Sequence, residues 1–292
     1  MIESNLCDKG TFFYKKKSIR CGTRLLNFET PVVMGILNLS PDSFYAGSRY
    51  LNDDVFISEV EKMLDCGASI LDIGAMSTRP GSKAISEKEE ISKLIPALTI
   101  IKQKFPDAII SVDTYRSSVS KIAVDNGADI INDISGGTMD KKMFETIAEL
   151  DVPYVLMHIQ GTPETMQINP VYNDVVKEIL DFLVKRTKML IQLGVKDIIV
   201  DPGFGFGKSL KDNYCLLHHL DRFIITETPL LVGLSRKSFI NKVLNTSPEQ
   251  ALNGTTVLNT IALLKGADIL RVHDVKEAVE TIKLVNAYNL QI

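Results

Sequence analysis

The stretch DPGFGFGKS, Asp201 to Ser209, sets an acid, three glycines and a Lys-Ser pair directly behind a strand-like run, VKDIIV. Glycine-rich turns of this kind cradle phosphates when backbone N–H groups line them at the spacing G-x-x-x-x-G-K-[ST]. Counting back from Gly207 puts Pro202 where the first glycine belongs, and proline has no N–H and a fixed φ. The dinucleotide spacing G-x-G-x-x-G fails as well, because after Gly203 and Gly205 it requires glycine where Lys208 stands. The group left for chemistry is the acid at the front, Asp201.

Similar groups close the other short apolar runs of the chain. They are Asn38, Asp72 (with Ser77-Thr78-Arg79-Pro80 in the loop behind it), Asp113, Asn132 with Asp133, His158, Ser235-Arg236-Lys237, and Arg271 with His273. Two chemistries emerge. Asp113, Asn132 and Asp201 supply acceptors and one amide, which suit a flat heterocycle rich in N–H donors. Arg79, Lys237, Arg271 and His273 supply positive charge and forked donors, which suit phosphate. Asn38 is a neutral oxygen of the kind that supports Mg²⁺ beside phosphates. The predicted site holds a nitrogen heterocycle at one end and a mono- or diphosphate at the other.

The elements that carry these groups alternate regularly from Pro31 onward. Apolar, β-branched runs at 32–38, 69–74, 108–113, 129–134, 153–158, 197–201, 229–234 and 268–273 are separated by amphipathic stretches such as DVFISEVEKMLDCG, SEKEEISKLIPALTIIKQKF and YNDVVKEILDFLVKRTKMLIQLG. Continuous apolar strands divided by helices predict a parallel sheet covered on both faces. Eight such units, each strand followed by a helix, predict a (β/α)8 TIM barrel, whose usual size is about 250 residues and whose active site lies at the C-terminal ends of the strands. Gly67, Gly127, Gly194 and Gly266 each precede a strand, as helix-ending glycines do. Residues 1–30 read as a short N-terminal β-hairpin extension built from TFFYKKKSIR and RLLNFE, with lysines 15–17 on a solvated face, and residues 31–292 as one barrel domain.

Composition narrows the classes further. The 292 residues are 45% hydrophobic and 24% charged, the profile of a soluble globular chain. A net charge of −3 offers no global basic field for nucleic acid or an anionic membrane. Four dispersed cysteines without a CxxC predict a reduced, cytoplasmic protein. There is no signal-peptide pattern. No apolar run reaches the roughly 18 residues of a membrane span. His218 and His219 lie inside a helical stretch and read as packing residues. His158 has no second His or Cys at zinc spacing. Asp72 fits a structural hydrogen bond inside the barrel as well as it fits catalysis, and no G-x-S-x-G supports a nucleophile-elbow hydrolase.

Eight stretches resemble, in order along residues 31–292, the motifs of the dihydropteroate synthases: MGILNLSPDSF (34–44), DIGAMSTRPGS (72–82), SVDTYR (111–116), INDISGG (131–137), LMHIQGTPETMQ (156–167), DPGFGFGK (201–208), GLSRKSF (233–239) and RVHD (271–274). That family joins 6-hydroxymethyl-7,8-dihydropterin diphosphate to p-aminobenzoate, giving 7,8-dihydropteroate and diphosphate in folate synthesis. The resemblance implies that Asp113, Asn132 and Asp201 hold the pterin, with Lys237 near its carbonyl and Arg271 stacked on its face. It assigns Asn38, Arg79, Arg271 and His273 to diphosphate, with Mg²⁺ on Asn38. Thr78, Pro80, Phe206 and Ser238 would form the aminobenzoate slot, Ser238 standing near a helix start where free N–H groups favour a carboxylate. Asp113, Asp201, Lys237 and Arg271 would be catalytic. A homodimer follows from the same likeness, and sulfonamides are expected to compete with p-aminobenzoate; the loops NLSPDSFYAGSRY and AMSTRPGSKAIS, long and carrying polar and glycine residues, are expected to close over the site. Met76 stands where the family usually has Glu, and Tyr45-Ala46-Gly47 replaces a usual Ser-Asp-Gly; both departures are expected in mobile loops outside the heterocycle pocket. A methyltransferase of the same superfamily would share Asp113, Asn132 and Asp201 but have no use for STRP, SRK or RVH. A non-catalytic pterin-binding paralogue would not need the phosphate-side residues, all of which are present.

Overall fold

A computed structural model describes residues 14–39, 53–76 and 85–291. The chain opens with an antiparallel hairpin, β1 (Ser18–Cys21) and β2 (Arg24–Asn27). The barrel follows as β3 (Val32–Asn38), α1 (Asp53–Asp65), β4 (Ile70–Gly74), α2 (Glu87–Lys104), β5 (Ile110–Asp113), α3 (Ser117–Asp125), β6 (Ile130–Asp133) and α4 (Met143–Leu150). It continues as β7 (Tyr154–Met157), α5 (Val175–Gln192), β8 (Ile198–Asp201), α6 (Leu210–His218), β9 (Leu231–Val232), α7 (Ser238–Leu244), α8 (Leu252–Leu264), β10 (Ile269–Val272) and α9 (Val275–Leu290). Neighbouring strands are parallel in the order β8-β7-β6-β5-β4-β3-β10-β9, and a parallel bridge between Val200 and Leu230 joins the two ends. This is the TIM barrel that the alternation predicts.

Local signals account for the helix ends. Ser86 caps α2, its hydroxyl accepting from Glu89 N–H, and Asp174 caps α5 by accepting from the N–H groups of Val176 and Lys177. Ser209 and Asp212 form a reciprocal capping box at α6. The four glycines expected behind helices have φ of 97, 97, 92 and 92°. Two expectations need correction. The run 229–234 narrows to a two-residue strand, since Pro229 has no N–H to give to a ladder. The strand is also followed by two helices rather than one, because Asn245 ends α7 in the left-handed region at φ 51° and Pro248 opens a short 3-10 turn before α8.

Inside the barrel, the two-residue period of the strands sorts side chains into layers. Met34, Ile70, Ile130, Val155, Ile199, Leu231 and Ile269 form an apolar floor, on which Ile19, Cys21 and Phe28 from the hairpin pack. Lys15 pairs with Asp268, Lys16 with Asp197 at 2.5 Å, and Arg24 with Asp129 at 3.0 Å, so the hairpin is fastened to the N-terminal ends of three strands. Lys15 and Lys16 are therefore part of this attachment, and not simply a solvated face. Two residues above the floor the layer turns polar, with Asp72, Asn132, Asp201 and Arg271. The other strand face packs against the helices through Leu71, Val112, Ile131, Leu156, Val200 and Leu270.

Candidate active site

The polar layer is one connected network. Asp72 is fully buried; its Oδ1 accepts from Ser111 Oγ at 2.6 Å, and its Oδ2 from Asn132 Nδ2 at 3.1 Å and Arg271 Nε at 2.7 Å. Arg271 Nη2 reaches both Asp72 Oδ2, at 2.6 Å, and Asp113 Oδ2, at 2.9 Å. Groups from β4, β5, β6 and β10 thus meet across the barrel interior. Asp72, for which a structural and a catalytic part stood equally open, holds Arg271 and Asn132 in place. The guanidinium expected to stack on a pterin is aligned by two carboxylates.

Asp113 and Asp201 face a low-dielectric interior. Burial pushes the Asp113 carboxyl up to about 7, against the pull of Arg271, with Asp72 adding to the rise. Burial also raises Asp201, which Lys237 and the Gly203 N–H draw back down. Asp201 Oδ1 accepts from Gly203 N at 2.7 Å. Lys237, at the start of α7, is brought down to about 8 by burial despite Asp201. Its Nζ donates to Phe204 O and stands 4.8 Å from the centre of the Phe206 ring. Phe206 packs against the cluster of Ile134, Met157, Ile159 and Met166. Ser238 is the first residue of α7, as expected, and follows Lys237 at the cap.

The glycines of DPGFGFGKS serve packing against protein. Gly203 has φ 71°, and a Cβ there would fall 2.0 Å from His158 O; one at Gly207, φ 64°, would fall 2.4 Å from Gln160 O. The close approach is to the backbone after β7. Lys208, which completes the failed phosphate motif, turns inward and is 3% exposed.

On the phosphate side, Asn38 ends β3 and His273 follows β10. Ser235 Oγ accepts from His273 N–H at 3.2 Å and lies 3.0 Å from Nδ1. Gly74 lies beside Asn38 and Asp113, and a Cβ there would stand 3.8 Å from Asn38 Oδ1 and from Asp113 Oδ2. Thr78, Arg79 and Pro80, Tyr45, and most of both expected closing loops lie outside the described residues. Met76 is described, and it is buried directly behind β4 rather than in an open loop.

Three polar strand-end residues belong elsewhere. Asp133 is one position beyond Asn132, so it points to the opposite face, where it accepts from Tyr154 Oη at 2.6 Å and from the N–H groups of Ser135 and Gly137 at 2.7 Å each. Arg236 makes a two-bond pair with Asp274, at 3.0 and 2.6 Å, and leaves Lys237 to face the site. His158 lies 3.2 Å from Lys208 and edge-on to Phe182, and burial pushes it down to about 3. His219 bonds through Nδ1 to Cys215 O at 3.0 Å, a packing role like the one expected. Among the described residues no group of three or more His, Cys, Asp or Glu could hold a metal. Lys208, Gln167 and Tyr172 were missed as site-shaping residues; for Lys208 the usable signal was a lysine behind three glycines where no phosphate loop can form.

A barrel with two buried carboxylates, an aligned arginine and a lysine at the C-terminal strand ends is a barrel enzyme for a cationic or donor-rich ring. The pterin binding enzyme family matches residues 34–273. Dihydropteroate synthase of Haemophilus influenzae is 42% identical over 266 residues, 90% of this chain and 96% of its own length. A crystal structure of Yersinia pestis dihydropteroate synthase in complex with a sulfonamide drug superposes with a TM-score of 0.88 at 40% identity, over 94% of this chain and 99% of that one. Xanthomonas albilineans dihydropteroate synthase with 4-aminobenzoic acid does so with a TM-score of 0.86 at 36% identity, over 94% and 98%. The chain belongs to the dihydropteroate synthase family of pterin-binding enzymes.

Proposed function

We propose that this chain condenses 6-hydroxymethyl-7,8-dihydropterin diphosphate with p-aminobenzoate, releasing diphosphate and 7,8-dihydropteroate. The observation that carries the reading is the pair of buried carboxylates, Asp113 and Asp201, beside Lys237 and Arg271 above the apolar floor of the barrel. Such a site pays out its electrostatic strain to a ring that brings N–H donors and then positive charge.

Asp113, Asn132 and Asp201 would bond the N–H edge of the pterin, Lys237 its carbonyl, and Arg271 would lie on its face. Asn38, Arg79, Arg271 and His273 would hold the diphosphate. When the C–O bond to diphosphate breaks, the methylene carbon becomes cationic and its charge spreads into the ring. Ionised Asp113 and Asp201 lower the energy of that cation. The amine of p-aminobenzoate, lying between Phe206 and Pro80 with its carboxylate toward Ser238, attacks the carbon, and the new C–N bond forms as the amine proton leaves to solvent. An aromatic amine needs no strong base to attack such a cation.

Asn38, whose side-chain oxygen is a neutral ligand at the end of β3, would hold Mg²⁺, because this ion commonly takes one or two protein oxygens and completes its shell with phosphate and water. Bound there, it would neutralise diphosphate oxygens and make the leaving group less basic. The chain is proposed to act as a homodimer in the cytoplasm. Val257 and Leu264 on α8 and Leu284 and Tyr288 on α9, all half or more exposed, make an apolar face suited to a second copy. Cys21, Cys66 and Cys215 are free, in keeping with a reducing compartment. The test is direct: purified protein, both substrates and Mg²⁺, with the product identified by mass. Absence of 7,8-dihydropteroate would overturn the proposal.

A further inference from the structure

Five successive carbonyls in the loop behind β8 each meet a side-chain donor. Gly203 O accepts from Lys208 Nζ at 2.7 Å, Phe204 O from Lys237 Nζ, and Gly205 O from Gln167 Nε2 at 2.6 Å. Phe206 O accepts from Lys208 Nζ at 3.0 Å, and Gly207 O from Tyr172 Oη at 2.7 Å. Lys208 holds two of the five, and it also reaches His158 Nδ1 at 3.2 Å and His158 O at 3.4 Å. Burial keeps His158 neutral, so its ring nitrogen accepts. Burial pushes Lys208 down to about 7; as an ammonium its three N–H donors find Gly203, Phe206 and His158, the satisfaction that a buried charge requires. The charged groups facing Lys208 are Asp201 from β8, Asp212 from α6 and Lys237 at the start of α7.

The two lysines differ in what the reaction asks of them. Lys237 holds Phe204 O, yet the reading above also directs it to the pterin carbonyl, so its bond to the loop is shared or lost when substrate arrives. The loop then depends on its other donors to keep Phe206 at a fixed distance from Asp201. We propose that Lys208 is a positioning residue for the p-aminobenzoate end of the site: it clamps Gly203 O and Phe206 O to the backbone after β7, and holds the Phe206 wall while Lys237 changes partner. This rests on the assignment of Phe206 to the amine slot.

The experiment compares wild type with Lys208→Met and Tyr172→Phe in the full chain, by steady-state kinetics for each substrate, calorimetry with a pterin ligand, and thermal melting. Losing the charged tether in Lys208→Met should raise KM for p-aminobenzoate about tenfold or more. Pterin affinity should stay within about threefold, since Asp201 sits on a strand and keeps its own bond to Gly203 N–H. Tyr172→Phe deletes one hydroxyl from a half-buried ring and should raise the same KM by roughly threefold, the lower range for a neutral bond. A Lys208→Met protein that melts earlier but keeps its KM would reduce the lysine to a structural part and overturn the proposal. If that variant does not fold, Lys208→Gln, which keeps one donor to the loop but not the ammonium, takes its place, and an unchanged KM for p-aminobenzoate there overturns the proposal. Failure of wild type to use p-aminobenzoate would refute the functional reading itself, a distinct result.

Discussion

Asp201→Asn should separate binding from stability in a direction that the structure fixes. One carboxylate oxygen of Asp201 is committed to Gly203 N–H at 2.7 Å. In the asparagine variant the amide oxygen has to remain on that donor, so the amide nitrogen turns to where the second acceptor stood. A pterin N–H would then meet a donor instead of an anion. Losing a hydrogen bond to a charged group costs about 1.5–3 kcal/mol, and the facing donors add to it, for a total of roughly 2–4 kcal/mol. That corresponds to about 30- to 1000-fold in Kd. Folding should change far less, within about 1 kcal/mol, because burial already opposes the charge of Asp201 and the Gly203 bond is kept. Calorimetry with a pterin ligand and a denaturant melt read the two quantities. Wild-type affinity in the variant, or a loss of affinity matched by an equal loss of stability, would refute the reasoning.

Asp72→Asn can still satisfy its neighbours, with the amide oxygen on Arg271 and Asn132 and the nitrogen on Ser111 Oγ, so it should cost about 1.5–3 kcal/mol. Asp72→Ala leaves these partners bare and should cost roughly 3–5 kcal/mol; equal losses in denaturant melts would contradict the network. Asp113, raised from 3.8 to about 7, binds its proton more tightly folded than unfolded. Its contribution to stability is therefore present below about pH 4 and lost as pH rises through about 7. Pterin affinity should run the opposite way, rising through about pH 7 as the acceptor ionises, and Asp113→Asn should flatten both profiles; a wild-type affinity with no rise across that range would remove Asp113 from the contact. Sulfonamides, which carry the same aryl amine with sulfonyl oxygens in place of the carboxylate, should compete with p-aminobenzoate at saturating pterin diphosphate. Inhibition that extra p-aminobenzoate does not relieve would mean that the slot at Phe206 and Ser238 is wrongly drawn.

Much of this site could be read from strand ends, because a parallel barrel turns sequence position into height. SILDIG is the clearest case: Ile70 joins the floor and Asp72, two residues on, joins the polar layer. The same period separates Asn132 from Asp133, and counting residues along the strand would have removed Asp133 from the mouth. What stayed hidden depends on contacts distant in sequence. Lys16 finds Asp197 across 181 residues, so its run of lysines looked like a solvated face. Lys208 looked like part of a broken phosphate motif because nothing nearby in sequence says that its acceptors are the carbonyls of its own loop and His158. The second helix behind β9 follows from Asn245 and Pro248, two residue types that also occur in loops without ending a helix.

The central claim is that buried carboxylates draw out a pterin cation that an aromatic amine then captures. Its most direct test is diphosphate release from the pterin diphosphate, followed with and without p-aminobenzoate in the same enzyme preparation. The account predicts sustained release only with the amine, one dihydropteroate formed for each diphosphate. Sustained release at a similar rate without the amine, or release that outruns dihydropteroate, would contradict it.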